Sequence, residues 1–185
     1  MCAYVDDPRH RYSYELRPDA VLDARVRQLA VELEADGLLP AGAATAPRFQ
    51  PHLTFLRADR ADPELVDSLA ARIAFDTELV LDEVGSFGSG RIAWLAPTQT
   101  RLLRTTRAHL VATLGVEHVD PLALSRDPWT PHVTVAYAID EPHRAAVAEH
   151  LRAALPITGR WIVAQCWDLD VRPTRLAHEV AIDQA

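Results

Sequence analysis

The chain has 185 residues, an apolar fraction of 49% and a formal net charge of −7. This length and composition are typical of a globular protein with one substantial core, which excludes disordered and fibrous classes. The excess of acidic residues disfavours binding to the phosphate backbone of long nucleic acids, although it leaves room for a local basic pocket.

Cysteine content and apolar patterning predict the compartment. Cys2 and Cys166 are too few for a disulfide framework or a Cys-x-x-Cys site. No apolar stretch approaches the roughly 18 residues that cross a bilayer. Met1–Pro8 carries two aspartates where a signal peptide would need positive charge. We therefore expect a cytoplasmic protein with no membrane partner.

Segments with the two-residue period of strands alternate with segments that have the period of amphipathic helices. Pro18 is suited to a helix start, Gly37 to a helix end, and the glycines at 85, 88 and 90 to a hairpin turn. In chain order, the predicted elements are a strand at Arg9–Leu16, a helix at Asp19–Asp36, a strand over 51–55, a helix from Asp62 to about Ala74, strands at Glu78–Val84 and Arg91–Ala96, a helix at Thr98–Leu114, a strand at His132–Ala138, a helix from Glu141 to about Leu155, and strands at Ile157–Val171 and Arg175–Ile182.

The order strand, helix and hairpin occurs twice along the chain, once in each half. Helices that alternate with short, mostly antiparallel strands are typical of the α+β class. The repetition indicates internal duplication. We therefore predict a single domain over residues 1–185 with two pseudo-symmetric lobes, each a small, mostly antiparallel sheet with helices on its outer side.

Two five-residue segments, Pro51–Phe55 and Pro131–Val135, repeat the pattern Pro-His-apolar-Thr-apolar, with their histidines 80 positions apart. Because strand side chains alternate between faces, the polar residues of each segment should project together, opposite the apolar ones. Two imidazoles and two hydroxyls above an apolar floor form a candidate acid-base pair with donors for an anion. The flanks extend both segments, so that the polar triplets are Gln50, His52 and Thr54 in the first, and Thr130, His132 and Thr134 in the second.

A single histidine on an alternating strand is more often solvent-facing or structural than functional. The duplication favours a function here, because chance rarely produces two copies of this pattern in a chain of this length.

On these two segments, the chain resembles the two-histidine (2H) phosphoesterase superfamily, and in particular its bacterial branch of RNA 2′,3′-cyclic phosphodiesterases and 2′-5′ RNA ligase-like proteins. The order of the predicted elements from about Arg9 to Ile182 is similar to the family fold. The resemblance implies a central groove between the lobes that carries both His-x-Thr motifs. It also implies a reaction without metal or cofactor that opens a 2′,3′-cyclic phosphate to a 2′-phosphomonoester, with reverse 2′-5′ ligation through the same groups.

The resemblance implies a role for each motif residue. One neutral imidazole would take a proton from the attacking water, while the other, protonated, would donate to the departing 3′ oxygen. The residues alone leave open which ring is the acid, and family analogy makes it His52, with His132 as the base. The hydroxyls of Thr54 and Thr134 would hold the equatorial phosphoryl oxygens.

Four further residues are candidates for substrate binding: Arg57, Arg91, Arg126 and Tyr137. Many relatives carry a basic residue five positions after the second histidine, where this chain has Tyr137; Arg57 occupies the matching position after the first. Alternation would put residue 57 on the core-facing side, so Arg57 must lie past the end of its strand to help. Tyr137 either stacks on a nucleobase or packs in the core, with packing favoured. Arg91 and Arg126 lie near predicted turns, where each either contacts phosphate or is a solvated surface charge.

Charge and composition also indicate the partner. We expect a nucleotide or a short RNA with a cyclic phosphate, no extended nucleic-acid surface, and a monomer. The alternative is a non-catalytic module that binds phosphorylated nucleotide or RNA ends in the same groove. A zinc site built from His52 and His132 is disfavoured, since the motifs hold no carboxylate or thiolate ligands. The remaining histidines are interpreted as structural or surface residues: His10, His109, His118, His143, His150 and His178.

Overall fold

In the computed structural model, the described part of the chain forms one antiparallel sheet packed against helices. The structure describes residues 9–44, 49–74, 77–98, 100–125, 129–169 and 175–182. The strands are β1 (Tyr12–Pro18), β2 (Leu53–Ala58), β3 (Glu78–Leu81), β4 (Glu83–Phe87), β5 (Ile92–Ala96), β6 (Val133–Ala136), β7 (Ile157–Asp168) and β8 (Arg175–Ala181). The helices are α1 (Ala20–Ala35), α2 (Pro63–Ile73), α3 (Arg101–Leu114), α4 (Pro121–Ser125) and α5 (Arg144–Ala153), with 3-10 turns at Val116–His118 and Glu141–His143.

The helix boundaries follow from side-chain caps. The carboxylate of Asp19 accepts a hydrogen bond from the Leu22 amide at 2.9 Å and caps α1. Gly37, with φ of 71°, follows α1, as predicted. Pro18, which the sequence suggests as a helix start signal, is the last residue of β1, and Asp19 is the cap of α1. This correction matters for the site, since it extends β1 by two residues beyond the predicted Leu16.

The sheet has the strand order β3-β7-β1-β2-β6-β5-β4, with β8 paired to β7 beside this path. All strand pairs are antiparallel, which confirms the predicted α+β class. One register pair, Leu53 with Val133, joins β2 to β6. We call the five strands on the β2 side (β3, β7, β1, β2 and β8) the larger half-sheet, and β6, β5 and β4 the smaller half-sheet.

The two halves of the chain exchange strands. The β4-β5 hairpin follows β2 in sequence but pairs with β6, whereas β7 follows β6 in sequence and pairs with β1. The predicted strand Glu78–Val84 is in fact two strands, since β3 pairs with β7 and β4 pairs with β5. Each half-sheet therefore combines elements from both sequence repeats.

Both motif strands carry a β-bulge at the same place. Strand β2 holds one extra residue, Phe55, between two successive register pairs that it forms with β1. Strand β6 holds one extra residue, Val135, between two successive register pairs that it forms with β5. These residues are 80 positions apart, like the two histidines, so the bulge belongs to the internal repeat. Bulges re-aim the side chains that follow them and are common beside active sites.

One continuous apolar core lies between the sheet and the helices. Leu53 and Val133 are both fully buried in it, and α1, α2 and α5 contribute apolar faces that include Leu22, Leu69 and Leu151. Burying each such side chain contributes about 1.5–3 kcal/mol, which anchors the two motif strands from below. None of the helices within the described residues is long and apolar enough to cross a membrane.

Candidate active site

The structure brings the four motif side chains together on the sheet face opposite the core. Leu53 and Val133, the residues between histidine and threonine in each motif, form the register pair that joins β2 to β6. In an antiparallel register, His52 then lies opposite Thr134, and Thr54 lies opposite His132. All four side chains are half-buried. Directly opposed residues have Cβ atoms about 4.5–5.5 Å apart, and diagonal neighbours such as the two histidines lie about 7–8 Å apart, with their Cβ atoms somewhat closer.

Both imidazoles are held by equivalent hydrogen bonds. Nδ1 of His52 is 2.6 Å from the Gln50 carbonyl oxygen, and Nδ1 of His132 is 2.8 Å from the Thr130 carbonyl oxygen. A carbonyl only accepts, so in each ring Nδ1 carries the hydrogen and donates it. The backbone contact is therefore made by Nδ1 in both rings, and Nε2 is the other ring nitrogen.

His52 lies beside a buried carboxylate in the larger half-sheet. Its Nε2 is 3.7 Å from Oε1 of Glu15, which is only 6% exposed. The Ser13 hydroxyl donates to the same Oε1 at 2.6 Å, and Nε2 of Gln165 donates to Oε2 at 3.1 Å. Both oxygens of this buried carboxylate therefore accept a hydrogen bond within the protein.

His132 lies against aromatic rings in the smaller half-sheet. The Phe87 ring meets it edge to face at 4.8 Å between centroids, and the Trp94 ring lies 6.0 Å away. A Cβ atom on Gly85 would lie 2.0 Å from the nearest Trp94 ring carbon, so the absence of a side chain there leaves the space that the indole fills. The two imidazoles therefore have equivalent backbone contacts and different neighbours.

Sequence analysis missed one arginine on this face. Leu16 pairs with Leu53, so the next positions of the two strands, Arg17 and His52, are opposite each other. Arg17 is half-buried, its Nε is buried with no hydrogen-bond partner, and no ion pair joins it to another described residue. The predicted strand ended at Leu16 because Pro18 was interpreted as a helix start signal. Continuing the alternation through Pro18 would have placed Arg17 on the face of Ser13 and Glu15.

Arg57 corrects a second expectation. It lies inside β2, not past its end, and pairs with Ser13. The bulge at Phe55 shifts the alternation by one residue, so that Arg57 lies on the same face as Ser13 and Glu15 instead of facing the core.

The remaining candidates lie elsewhere or outside the described residues. Tyr137 is 51% exposed, so the prediction that it packs in the core is wrong. Arg91 is exposed at the end of the β4-β5 turn, and no described contact brings its side chain to the histidines. Arg126 lies outside the described residues.

Among the residues that the structure describes, no group of three or more His, Cys, Asp or Glu side chains could hold a metal ion.

Comparison with known proteins gives one family and several structural neighbours. A model of the 2′-5′ RNA ligase superfamily matches residues 18–170. A crystal structure of a phosphoesterase has 17% identity and a TM-score of 0.53, over 95% of this chain and 99% of that one. Escherichia coli LigT complexed with 3′-AMP has 19% identity and a TM-score of 0.53, over 95% and 98%. Its complex with NADP+ has 18% identity and a TM-score of 0.50, over 95% and 99%. At these identities the neighbours show a shared fold. No curated protein sequence matches the chain.

Proposed function

The chain belongs to the 2′-5′ RNA ligase superfamily, and on that premise we propose that it is a metal-independent phosphodiesterase that opens 2′,3′-cyclic phosphates to 2′-phosphomonoesters. The observation that carries this proposal is the pairing of β2 with β6. It puts two imidazoles, each held through Nδ1 by a backbone carbonyl, diagonally across one small area of the sheet. Two histidines at diagonal positions about 7–8 Å apart match the span of an in-line displacement at phosphorus, with one ring beside each apical oxygen.

The reaction needs one proton acceptor and one proton donor. Nε2 of the neutral ring takes a proton from water as the water oxygen forms its bond to phosphorus. The bond from phosphorus to the 3′ oxygen breaks, and that oxygen takes the proton from Nε2 of the charged ring. The products are a 3′ hydroxyl and a 2′-phosphomonoester. Each ring ends in the opposite protonation state, and exchange with solvent restores both.

Three side chains around the rings suit the phosphoryl oxygens. Thr54 and Thr134 each lie opposite a histidine of the other strand, so their hydroxyls flank the space between the rings. Arg17, opposite His52, adds a cationic donor that forms no described ion pair within the protein. Charge-assisted hydrogen bonds from a guanidinium to phosphate are among the stronger polar contacts in proteins. We therefore assign Arg17 the phosphate-binding role that the sequence suggested for Arg57.

The substrate we propose is small: a nucleotide or a short oligonucleotide end. A net charge of −7 is unsuited to an extended RNA, whereas a single phosphate needs only a local cationic group. The structural neighbour LigT, crystallised with 3′-AMP and with NADP+, supports a ligand of nucleotide size. A weak dependence of kcat/KM on salt is expected for such a substrate, and a steep one would favour long RNA.

The test compares wild type, His52→Ala and His132→Ala on 2′,3′-cyclic AMP, CMP, GMP and UMP in the presence of a chelator. Wild type should form the 2′-phosphomonoester, and each variant should lose about 10²- to 10⁴-fold in kcat/KM. His109→Ala, which removes an exposed histidine on α3, is the matched control and should keep full activity. Tight binding of a nucleoside 2′-phosphate without turnover of any cyclic phosphate would refute catalysis and support a binding module instead.

A further inference from the structure

A small cavity lies on the opposite side of the smaller half-sheet from His132. Its volume is about 100 Å³, and its wall is formed by the β4-β5 hairpin, Ile139 and one face of α5. Ser86 and Ala93, which pair with each other, line the cavity, whereas the next residue of β5, Trp94, lies beside His132. Because neighbouring residues of a strand point to opposite faces, the cavity is separate from the site of the two motifs.

We propose that this cavity is a second anion site, which binds a single phosphate group through Arg144 and Arg152. The proposal does not depend on the reaction proposed above. The feature that carries it is the chemistry of the lining: three of the ten lining residues have polar side chains, Ser86, Arg144 and Arg152, and none has a carboxylate. All three side chains can donate hydrogen bonds, and both guanidinium groups are always charged.

Helical spacing brings the two arginines to the same wall. Arg144, Ala148 and Arg152 follow one another at intervals of four residues, so they form one row on α5, and all three line the cavity. Two turns of helix separate the Cα atoms of the arginines by about 12 Å, a distance that two such long side chains can bridge around one small ion. Arg144 is half-buried and Arg152 is exposed, which leaves Arg152 accessible from solvent.

The Arg144 side chain is held in place, but its charge is not compensated. Gly90, in the hairpin turn with φ of 88°, has no side chain, and a Cβ atom there would lie 2.6 Å from Cδ of Arg144. The stem of Arg144 therefore packs directly on the turn. Nε of Arg144 is buried without a hydrogen-bond acceptor, and no described carboxylate forms an ion pair with Arg144 or Arg152. Buried donors without acceptors are costly, and an oxyanion in the cavity would supply acceptors to this guanidinium.

The size and charge of the cavity select a small anion. Sites for drug-sized ligands commonly have volumes of about 300–1,000 Å³. A volume of about 100 Å³ therefore has room for one phosphate group and not for a nucleoside. Guanidinium groups bind phosphate through charge-assisted hydrogen bonds, often to two oxygens at once. The occupant is inorganic phosphate, or the phosphate of a nucleotide whose nucleoside remains outside the cavity, since both present the same chemistry.

Titration with inorganic phosphate at constant ionic strength, followed by ¹H-¹⁵N NMR, tests the site. The amide signal of Gly90 and the Nε–H signal of Arg144 should shift and saturate, with a Kd of about 0.1–10 mM. Arg152→Met should weaken this binding about 10-fold or more, because it removes one charged donor and keeps the apolar stem. Since Arg152 is exposed, the variant should fold like wild type. Arg144→Met should have an effect at least as large, and Arg101→Met, which removes an exposed arginine from α3, should have none.

Two further titrations separate this cavity from the motif histidines and identify the occupant. In Arg17→Met, phosphate should still shift Gly90 with unchanged affinity while its effect on His52 is lost. In the same variant, a nucleoside 2′-phosphate that shifts Gly90 with similar affinity would identify a nucleotide phosphate as an occupant, whereas a response to inorganic phosphate alone would restrict the site to the free ion.

Three results would overturn the proposal. The first is the absence of a saturable shift at Gly90 with inorganic phosphate. The second is equal affinity in wild type, Arg144→Met and Arg152→Met, which would mean that the arginines only cover the hairpin. The third is the joint loss of the Gly90 and His52 shifts in Arg17→Met, which would mean that the Gly90 shift is transmitted from the site of the two motifs.

Discussion

The two half-sheets present the same motif in different surroundings. Each motif strand has a histidine held by the carbonyl two residues before it, a threonine opposite the other histidine, and a bulge after the threonine. The larger half-sheet adds Glu15 and Arg17, whereas the smaller half-sheet adds Phe87 and Trp94. Backbone symmetry therefore sets where the rings lie, and the neighbouring strands make them chemically different. An acid and a base need this difference.

The largest expected effect distinguishes the two histidines by how the activity lost in each variant depends on the leaving group of the substrate. On a cyclic phosphate, His52→Ala and His132→Ala should both lose about 10²- to 10⁴-fold in kcat/KM. On a nucleoside 4-nitrophenyl phosphodiester, whose leaving group needs no proton, His52→Ala should recover most of its loss and His132→Ala should not. Steady-state rates on the two substrates make the comparison. Equal losses on both would mean that the rings are interchangeable.

Arg17→Met should lower kcat/KM about 10- to 100-fold, because it removes a charged donor from the phosphate while preserving the apolar stem of the side chain. Affinity for inorganic phosphate, measured by calorimetry, should fall as well. Arg101→Met, which removes an exposed arginine from α3, is the control. If phosphate affinity is the same in both variants, Arg17 does not bind the anion.

A smaller effect is expected at the aromatic side of the site. Gly85→Ala introduces a Cβ at 2.0 Å from the Trp94 ring, so the indole must move, at a cost of about 1–3 kcal/mol in the free energy of unfolding. Displacing Trp94 should also disturb His132, so activity should fall more than at the neighbouring exposed position, Ser86→Ala. Urea unfolding and tryptophan fluorescence test this. Unchanged stability would show that Trp94 is not packed against Gly85.

The smallest effect concerns the buried thiol of the larger half-sheet. Burial raises the pKa of Cys166 from 9.0 to about 12. In a Cys2→Ser background, the native protein should resist alkylation at pH 8 and react only on unfolding. Because the unfolded chain releases this proton more readily, the contribution to stability is complete below pH 9 and is lost as the pH rises toward 12. In Cys166→Ala, the free energy of unfolding measured by urea titration should fall less steeply over this pH range. Rapid alkylation of the native protein would contradict the burial of Cys166.

The sequence predicted the parts of the fold that depend on local patterns. Alternation around the two histidines identified both motif strands and the residues of their polar faces, because one buried side fixes which way each side chain points. Helical spacing and caps located α1, α2, α3 and α5. The errors occurred where non-local pairing competes with the local pattern. Glu78–Val84 reads as one strand, yet its two ends pair with different partners.

The site shows the same division. The pattern led to His52, Thr54, His132 and Thr134 because it is repeated. Arg57 was placed on the wrong face, because a bulge leaves no clear mark in a single sequence. Arg17 was missed because Pro18 was interpreted as a helix start signal and the strand was ended at Leu16. Trp94 and Glu15 carry no motif at all.

The sequence by itself determined the class of the fold, its internal repeat and the side chains that we propose as the reactive pair, since these follow from the local periodicity of side chains along each strand. Only the tertiary structure decided which strands flank each motif. That choice depends on pairings between residues far apart in the chain, and it exchanges the hairpins between the two repeats. It is this exchange that brings an acidic strand beside one histidine and an aromatic strand beside the other.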